Sequence, residues 1–150
     1  MAAGGNPDQD LVRRFLVDPA TPLAIDSNPL ALDVGMVLLA WDPVLQALTM
    51  RFRPGERHVQ GNGAVQGGIV STMLDFALVF PVLGRLDPPK VAVTVALNLH
   101  FEKAVLPGDL QAVARIDRLG GRMAFASAEL RSASGGDVLA RATAAMAVVG

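Results

Sequence analysis

The sequence predicts an α+β fold in one domain, a long antiparallel sheet with a single central helix, and three observations carry that reading. The run "GGIVSTMLDFALVFPVLG" is apolar nearly all round when wound as a helix, so it must be enclosed. The second half of the chain reads as successive strands, "KVAVTVALNLHF", "GDLQAVARIDRL", "RMAFASAEL" and "DVLARATAAMAVV". Glycine-rich turns such as "GG" and "SGGD" join them, which suits an antiparallel meander better than βαβ units. A curved sheet wrapped around the helix satisfies all three. At 150 residues such a domain buries about two-thirds of its unfolded surface.

In chain order, "PDQDLVRRFLV" places Leu11, Val12, Phe15 and Leu16 at helical spacing behind an acidic start. "DPATPLAIDSNPLAL" carries three prolines and reads as an irregular arm. Residues 1–31 are therefore expected to form an N-terminal helix and arm, and 32–150 the main domain. "GMVLLAW" and "LQALTMRF" are strand-like runs separated by "DP", a hairpin. "RPGERHVQGNGAVQ" is loop, and "RLDPPK" ends the central helix. In "KVAVTVALNLHF" strict alternation puts Val91, Val93, Val95, Leu97, Leu99 and Phe101 on one face. Ala92, Thr94, Ala96, Asn98 and His100 fall on the other.

Composition narrows the function classes. Hydrophobic residues make up 51% and charged residues 18%, with a net charge of -1. No basic stripe is available to displace counterions from phosphates, so nucleic acid is not an expected partner. The apolar, near-neutral balance favours a homo-oligomer. Cysteine is absent, which removes a thiol nucleophile, a cysteine-based zinc site and a disulfide framework, and fits the cytoplasm. "MAAGGNPDQD" has no basic region followed by an apolar run, so it is not a signal peptide. The best candidate for a membrane span is cut by Asp75 and Pro81, and no membrane association is expected.

The loop "GNGAVQGG" fails as a dinucleotide fingerprint, because Gln66 stands where glycine is needed, and it lacks the Gly-Lys-Ser/Thr of a Walker loop. Glycines opening a helix have another use. Amides at a helix N-terminus, aided by the dipole, stabilise an anion or a developing oxyanion, and Gly67 and Gly68 stand there. The alternative is that they only permit close packing. Further along the same helix, Ser71, Thr72 and Asp75 form a narrow polar stripe. A carboxylate in so apolar a segment is costly unless paired or hydrogen-bonded, and no cation lies one turn away. It is either a structural carboxylate held by hydroxyls or amides, or a base or nucleophile. Gly67 and Asp75 are eight residues apart, about 12 Å along a helix, too far for both to touch one reacting carbonyl. Two antiparallel helices in a symmetric dimer remove that conflict.

Gly63, Gln66-Gly67-Gly68 and Asp75, followed by Thr94 in "VTVALNLHF", Gly108 in "LPGDL" and "RLGGRMAFASAEL", form an ordered set. In that set the chain resembles the hotdog-fold thioesterases of the phenylacetate-degradation (PaaI-like) type, over residues 32 to 149. The resemblance implies a long helix wrapped by an antiparallel sheet, dimers often paired into tetramers, and metal-independent hydrolysis of acyl-CoA, with no cofactor beyond the CoA of the substrate. It implies that Asp75 is the catalytic carboxylate and Gly67 the amide polarising the thioester carbonyl. Gln60 then holds the attacking water or orients the carboxylate, and Thr94 helps place that water. The family usually has His-Gly-Gly where this chain has Gln66-Gly67-Gly68. Two other readings stay open: a non-catalytic acyl-thioester binding dimer and a hotdog hydratase or dehydratase.

The remaining candidates have plain alternatives. His58 is expected to be solvated or near the site mouth, and His100 to lie on the surface or in a subunit contact. Two histidines without cysteine make a conventional zinc site unexpected. No Gly-x-Ser-x-Gly elbow occurs, which argues against a Ser-His-Asp triad. Arg118 and Arg122 flank "LGG" and either meet CoA phosphates or are ordinary solvated turn arginines. Met73, Phe76 and Phe80 either shape an acyl tunnel or fill the core.

Overall fold

The computed structural model describes residues 5–150, so residues 1–4 of the expected arm lie outside the described residues. Two short N-terminal helices, α1 (Pro7–Val17) and α2 (Pro29–Asp33), flank the two-residue strand β1 (Leu23–Ala24). The hairpin of β2 (Val37–Asp42) and β3 (Ala47–Phe52) leads through a 3-10 turn (Glu56–His58) to the central helix α3 (Gly67–Arg85). Four long strands complete the chain: β4 (Val91–Phe101), β5 (Leu110–Leu119), β6 (Met123–Ser132) and β7 (Val138–Val149). All pairings are antiparallel, in one sheet of order β1-β2-β3-β5-β6-β7-β4. The segment read as an irregular arm thus holds β1 and α2, because Asn28 caps α2 by accepting the Ala31 amide at 2.7 Å with Pro29 in its first turn.

Alanine explains how the sheet closes on the helix. Ala112 and Ala114 on β5, Ala124, Ala126 and Ala128 on β6, and Ala140, Ala142 and Ala144 on β7 all face the core. Their small side chains leave room for the bulk of α3, whose Met73, Leu74, Leu78 and Phe80 are buried. Leu48, Met50 and Phe52 of β3 close one side. Val12 and Phe15 of α1 join the same core. α3 is long and apolar enough to cross a membrane by length and composition, despite Asp75 and Pro81, but half of its apolar window is buried inside the fold.

The expected strict alternation of β4 fails at its midpoint. A bulge lies between Thr94, which pairs with Met146, and Ala96, which pairs with Ala145. Two residues oppose one there, so the inward set changes parity. Thr94 points to α3 before the bulge and Leu97 and Leu99 pack on the core after it, while Val93 and Val95 are 52% and 63% exposed. β4 is also a sheet edge, and a long one.

Candidate active site

The loop ahead of α3 is pinned from both sides. Val59 and Val65 form an isolated bridge, and the Val65 amide donates to Val105 O at 2.7 Å. Within it the Gln60 amide donates to Ala64 O (2.8 Å) and the Gly63 amide to Gln60 O (2.9 Å). Gly63 has φ 83°, a conformation that glycine adopts without penalty.

His58 corrects an expectation: it is buried, not solvated, with 6% exposure. Its Nδ1 accepts the Gly55 amide at 2.9 Å, which puts the ring proton on Nε2, and Nε2 lies 2.7 Å from Asp33 Oδ2. Arg57 also pairs with Asp33. The His58 carbonyl accepts the Gln66 amide at 2.8 Å, so this pair ties α2 to the start of α3. Nothing local in the sequence signals it, since Asp33 lies 25 residues away.

At the N-terminus of α3, Gln66 is the capping residue. Its Oε1 accepts from the Gly68 amide (2.6 Å) and the Ile69 amide (3.3 Å). Gly67 lies between Gln66 and Gly68, and among the described residues its amide has no acceptor. One N–H is thereby left open at the positive end of a 19-residue helix.

Asp75 is half-buried and accepts a hydrogen bond from Thr94 Oγ1 at 2.8 Å. The hydroxyls of its own helix do not hold it. Ser71 Oγ donates back to Gly67 O (2.7 Å) and Thr72 Oγ1 to Gly68 O (2.9 Å). No cation pairs with Asp75 among the described residues. Met73 and Phe80 are core residues, 0% and 1% exposed, which leaves only half-buried Phe76 of the tunnel candidates. Phe76 packs edge-on to Phe80, with centroids 5.9 Å apart.

The chain assembles these residues into two groups. Gln60 and Gly67 share an open pocket of about 380 Å³ beside Val70 and Phe101. Asp75 and Thr94 are not on its lining. Thr94 pairs with Met146, Met146 with Ala124, and Ala124 with Leu119, so the Asp75–Thr94 pair lies toward the end of the sheet that carries the β5–β6 turn. Arg118 and Arg122 line a second pocket at that turn, about 310 Å³, with Met123 and Phe125. His100 is exposed. Among the described residues no three His, Cys, Asp or Glu side chains are grouped to hold a metal ion.

A seven-stranded antiparallel sheet curled on one long helix, with a glycine pair opening that helix, is the hotdog architecture of PaaI-like thioesterases. Residues 62–139 match the thioesterase superfamily, and the chain belongs to that family. It is 41% identical over 86 residues to an esterase-named protein of Pseudomonas aeruginosa. That match covers 57% of this chain and 64% of the relative, less than two-thirds of the relative's length. A thioesterase-described, phenylacetic acid degradation-related protein of Ralstonia eutropha JMP134 superposes with a TM-score of 0.78 at 27% identity, covering 91% of this chain and 98% of that one. A Bacillus halodurans protein solved with CoA superposes with a TM-score of 0.63 at 29% identity, covering 67% of this chain and 66% of that one.

Proposed function

We propose that this protein hydrolyses an acyl- or aryl-CoA thioester to the free acid and CoA, in the cytoplasm, at a site shared between two copies of the chain. The observation that carries this is the pairing of an open amide at Gly67 with a hydroxyl-held carboxylate at Asp75 on one helix, about 12 Å apart. In a two-fold dimer with antiparallel α3 helices, Gly67 of one protomer faces Asp75 of the other. The long edge of β4, with Val93 and Val95 exposed beside it, is the surface on which such a dimer extends the sheet. Pairing of such dimers into tetramers is compatible with this arrangement.

In this reading the thioester carbonyl oxygen accepts from the Gly67 amide, where the helix dipole favours the charge that develops. Thr94 donates to Asp75 Oδ1 and leaves Oδ2 to act. As a base, Asp75 takes a proton from water while the water oxygen bonds to the carbonyl carbon. The tetrahedral oxyanion then collapses, the C–S bond breaks, and the proton passes to the thiolate of CoA. As a nucleophile, Asp75 bonds to the carbonyl carbon, CoA leaves, and water hydrolyses the resulting anhydride. Gln60, on the Gly67 side, holds the water or orients the carboxylate. The Gln66 carboxamide fixes the Gly68 amide, and Ser71 and Thr72 hold the first turn of the wall that the substrate meets. Arg118 and Arg122 take CoA phosphates. None of these roles uses a metal.

A panel of acyl-CoA and aryl-CoA substrates with a thiol-trapping reagent tests the reading. Release of free CoA is expected; tight binding without release overturns it. One observation favours the second reading, a binding dimer: Gln66 cannot titrate near neutrality. Gln66→His addresses it. If position 66 only caps the helix, turnover stays within about threefold, under roughly 1 kcal/mol, and the pH profile gains no new titration. An inactive natural protein made active by histidine establishes the binding dimer instead.

A further inference from the structure

α1 and α3 meet closely near their C-terminal ends: a Cβ on Gly84 would lie 2.5 Å from Leu16 Cδ1 and 3.2 Å from Val12 Cγ2. Beside this crossing is a cavity of about 600 Å³ that contains no residue of the proposed catalytic site. Its walls include Arg13, Arg14, Arg85, Asp87, Val17 and Trp41. Arg13 is committed, donating to Leu86 O and to Asp87 Oδ1, the latter at 2.9 Å. The guanidinium groups of Arg14 and Arg85 make no ion pair and no hydrogen bond among the described residues. Each stands in the last turn of its helix, where the dipole favours a cation. That accounts for each charge separately, not for their convergence with an indole on one cavity.

Two walls of different chemistry restrict the occupant. Guanidinium forks match phosphate oxygens, and a half-buried indole on the cavity wall is an aromatic surface suited to a planar ring. A bare phosphate leaves Trp41 and Val17 unused, and an uncharged aromatic leaves both arginines unanswered. The volume lies within the range of small-molecule sites, about 300–1,000 Å³. We propose that this cavity binds a nucleotide, with its base on Trp41 and its phosphates on Arg14 and Arg85. The nucleotide is either a free effector or the nucleotide end of CoA, which would then meet Arg14 and Arg85 in place of Arg118 and Arg122.

Trp41 is the only tryptophan, so its emission reports on this cavity in the full chain. Titration with ADP in magnesium-free, low-salt buffer is expected to quench it saturably. Binding is expected to weaken at least about tenfold in the Arg14→Ala/Arg85→Ala double variant, with the melting temperature lowered by only a few degrees as two helix-terminal cations are lost. Adenosine and inorganic pyrophosphate, which each satisfy one wall, should bind at least about tenfold more weakly than ADP. Competition by CoA, with a raised KM for acyl-CoA but not for acyl-pantetheine in the double variant, supports the site with CoA as the source. ADP binding undisturbed by CoA supports it with a free nucleotide as the source. Absence of saturable quenching by ADP, quenching unchanged in the double variant, or pyrophosphate binding as tightly as ADP overturns the proposal. The quenching and competition readings need no thioester turnover, so they stand or fall apart from the catalytic reading; only the KM comparison rests on it.

Discussion

Two atoms bear the proposed chemistry, the Gly67 amide nitrogen and an Asp75 carboxylate oxygen, and each can be altered with little else disturbed. Asp75→Asn keeps an oxygen for Thr94 to bond, so the fold should survive while turnover falls by about 10²-fold or more. Steady-state kinetics beside a melting curve check this, and a near-wild-type rate would make Asp75 structural. Gly67→Pro is the sharper change. Gly67 is the first residue of α3, where proline is favoured, and Gln66 at φ −63°, ψ 139° already has the extended backbone that precedes proline. A Cβ there would meet Phe101 Cζ at an ordinary 3.5 Å. The substitution replaces the open N–H with the ring Cδ while keeping the helix start, and kcat should fall about 10²- to 10³-fold with the melting temperature held. Asp75 was legible in the sequence because a lone carboxylate in an apolar helix asks for an explanation. His58 was not: its burial depends on Asp33 arriving with α2, and no local pattern records that.

At the scale of elements, the C-terminus of α3 shows how a polar residue can be buried without loss. Gln9 on α1 is 1% exposed, and its Nε2 reaches Leu83 O (3.4 Å), Leu86 O (3.1 Å) and Lys90 O (2.9 Å). These are carbonyls of the last turn of α3 and the segment after it. Leu83 O also accepts the Leu86 amide and Leu86 O also accepts from Arg13, so among the described residues Lys90 O alone depends on Gln9. Gln9→Leu keeps much of the volume and leaves Lys90 O without a donor, at a cost of about 1–3 kcal/mol. For a domain of this size that is about 2–4 °C of melting temperature per kcal/mol, readable by calorimetry. An unchanged melting temperature would mean that Lys90 O finds another donor. The pattern in α1 gave its apolar face, with Val12 and Phe15 in the core, but not the task of Gln9, which is set by where α3 ends. The bulge in β4 was equally silent. Val93 and Val95 are β-branched and as strand-prone as their neighbours, so alternation read straight through the point where the register shifts.

For the whole molecule, the sheet wrapped on a helix followed from periodicity alone, because a helix apolar nearly all round admits few other solutions. Where the site closes was not written in any one segment. A single chain keeps Gln60 with Gly67 and Asp75 with Thr94, and separates the two groups along α3. The shared-site reading therefore makes a prediction that no single-chain site can meet. Asp75→Asn and Gly67→Pro chains, each inactive as a homodimer, are co-expressed with different tags and the mixed dimer is purified. One of its two sites joins the intact Gly67 of the first chain to the intact Asp75 of the second, and the other site carries both lesions. The mixed dimer should recover about half the turnover of the wild-type dimer, as two-fold symmetry requires. Light scattering must show the same dimeric mass for all three species, or a common multiple of it if dimers pair. A mixed dimer as inactive as its parents would put Gly67 and Asp75 to work within one chain, or show that one of them takes no part.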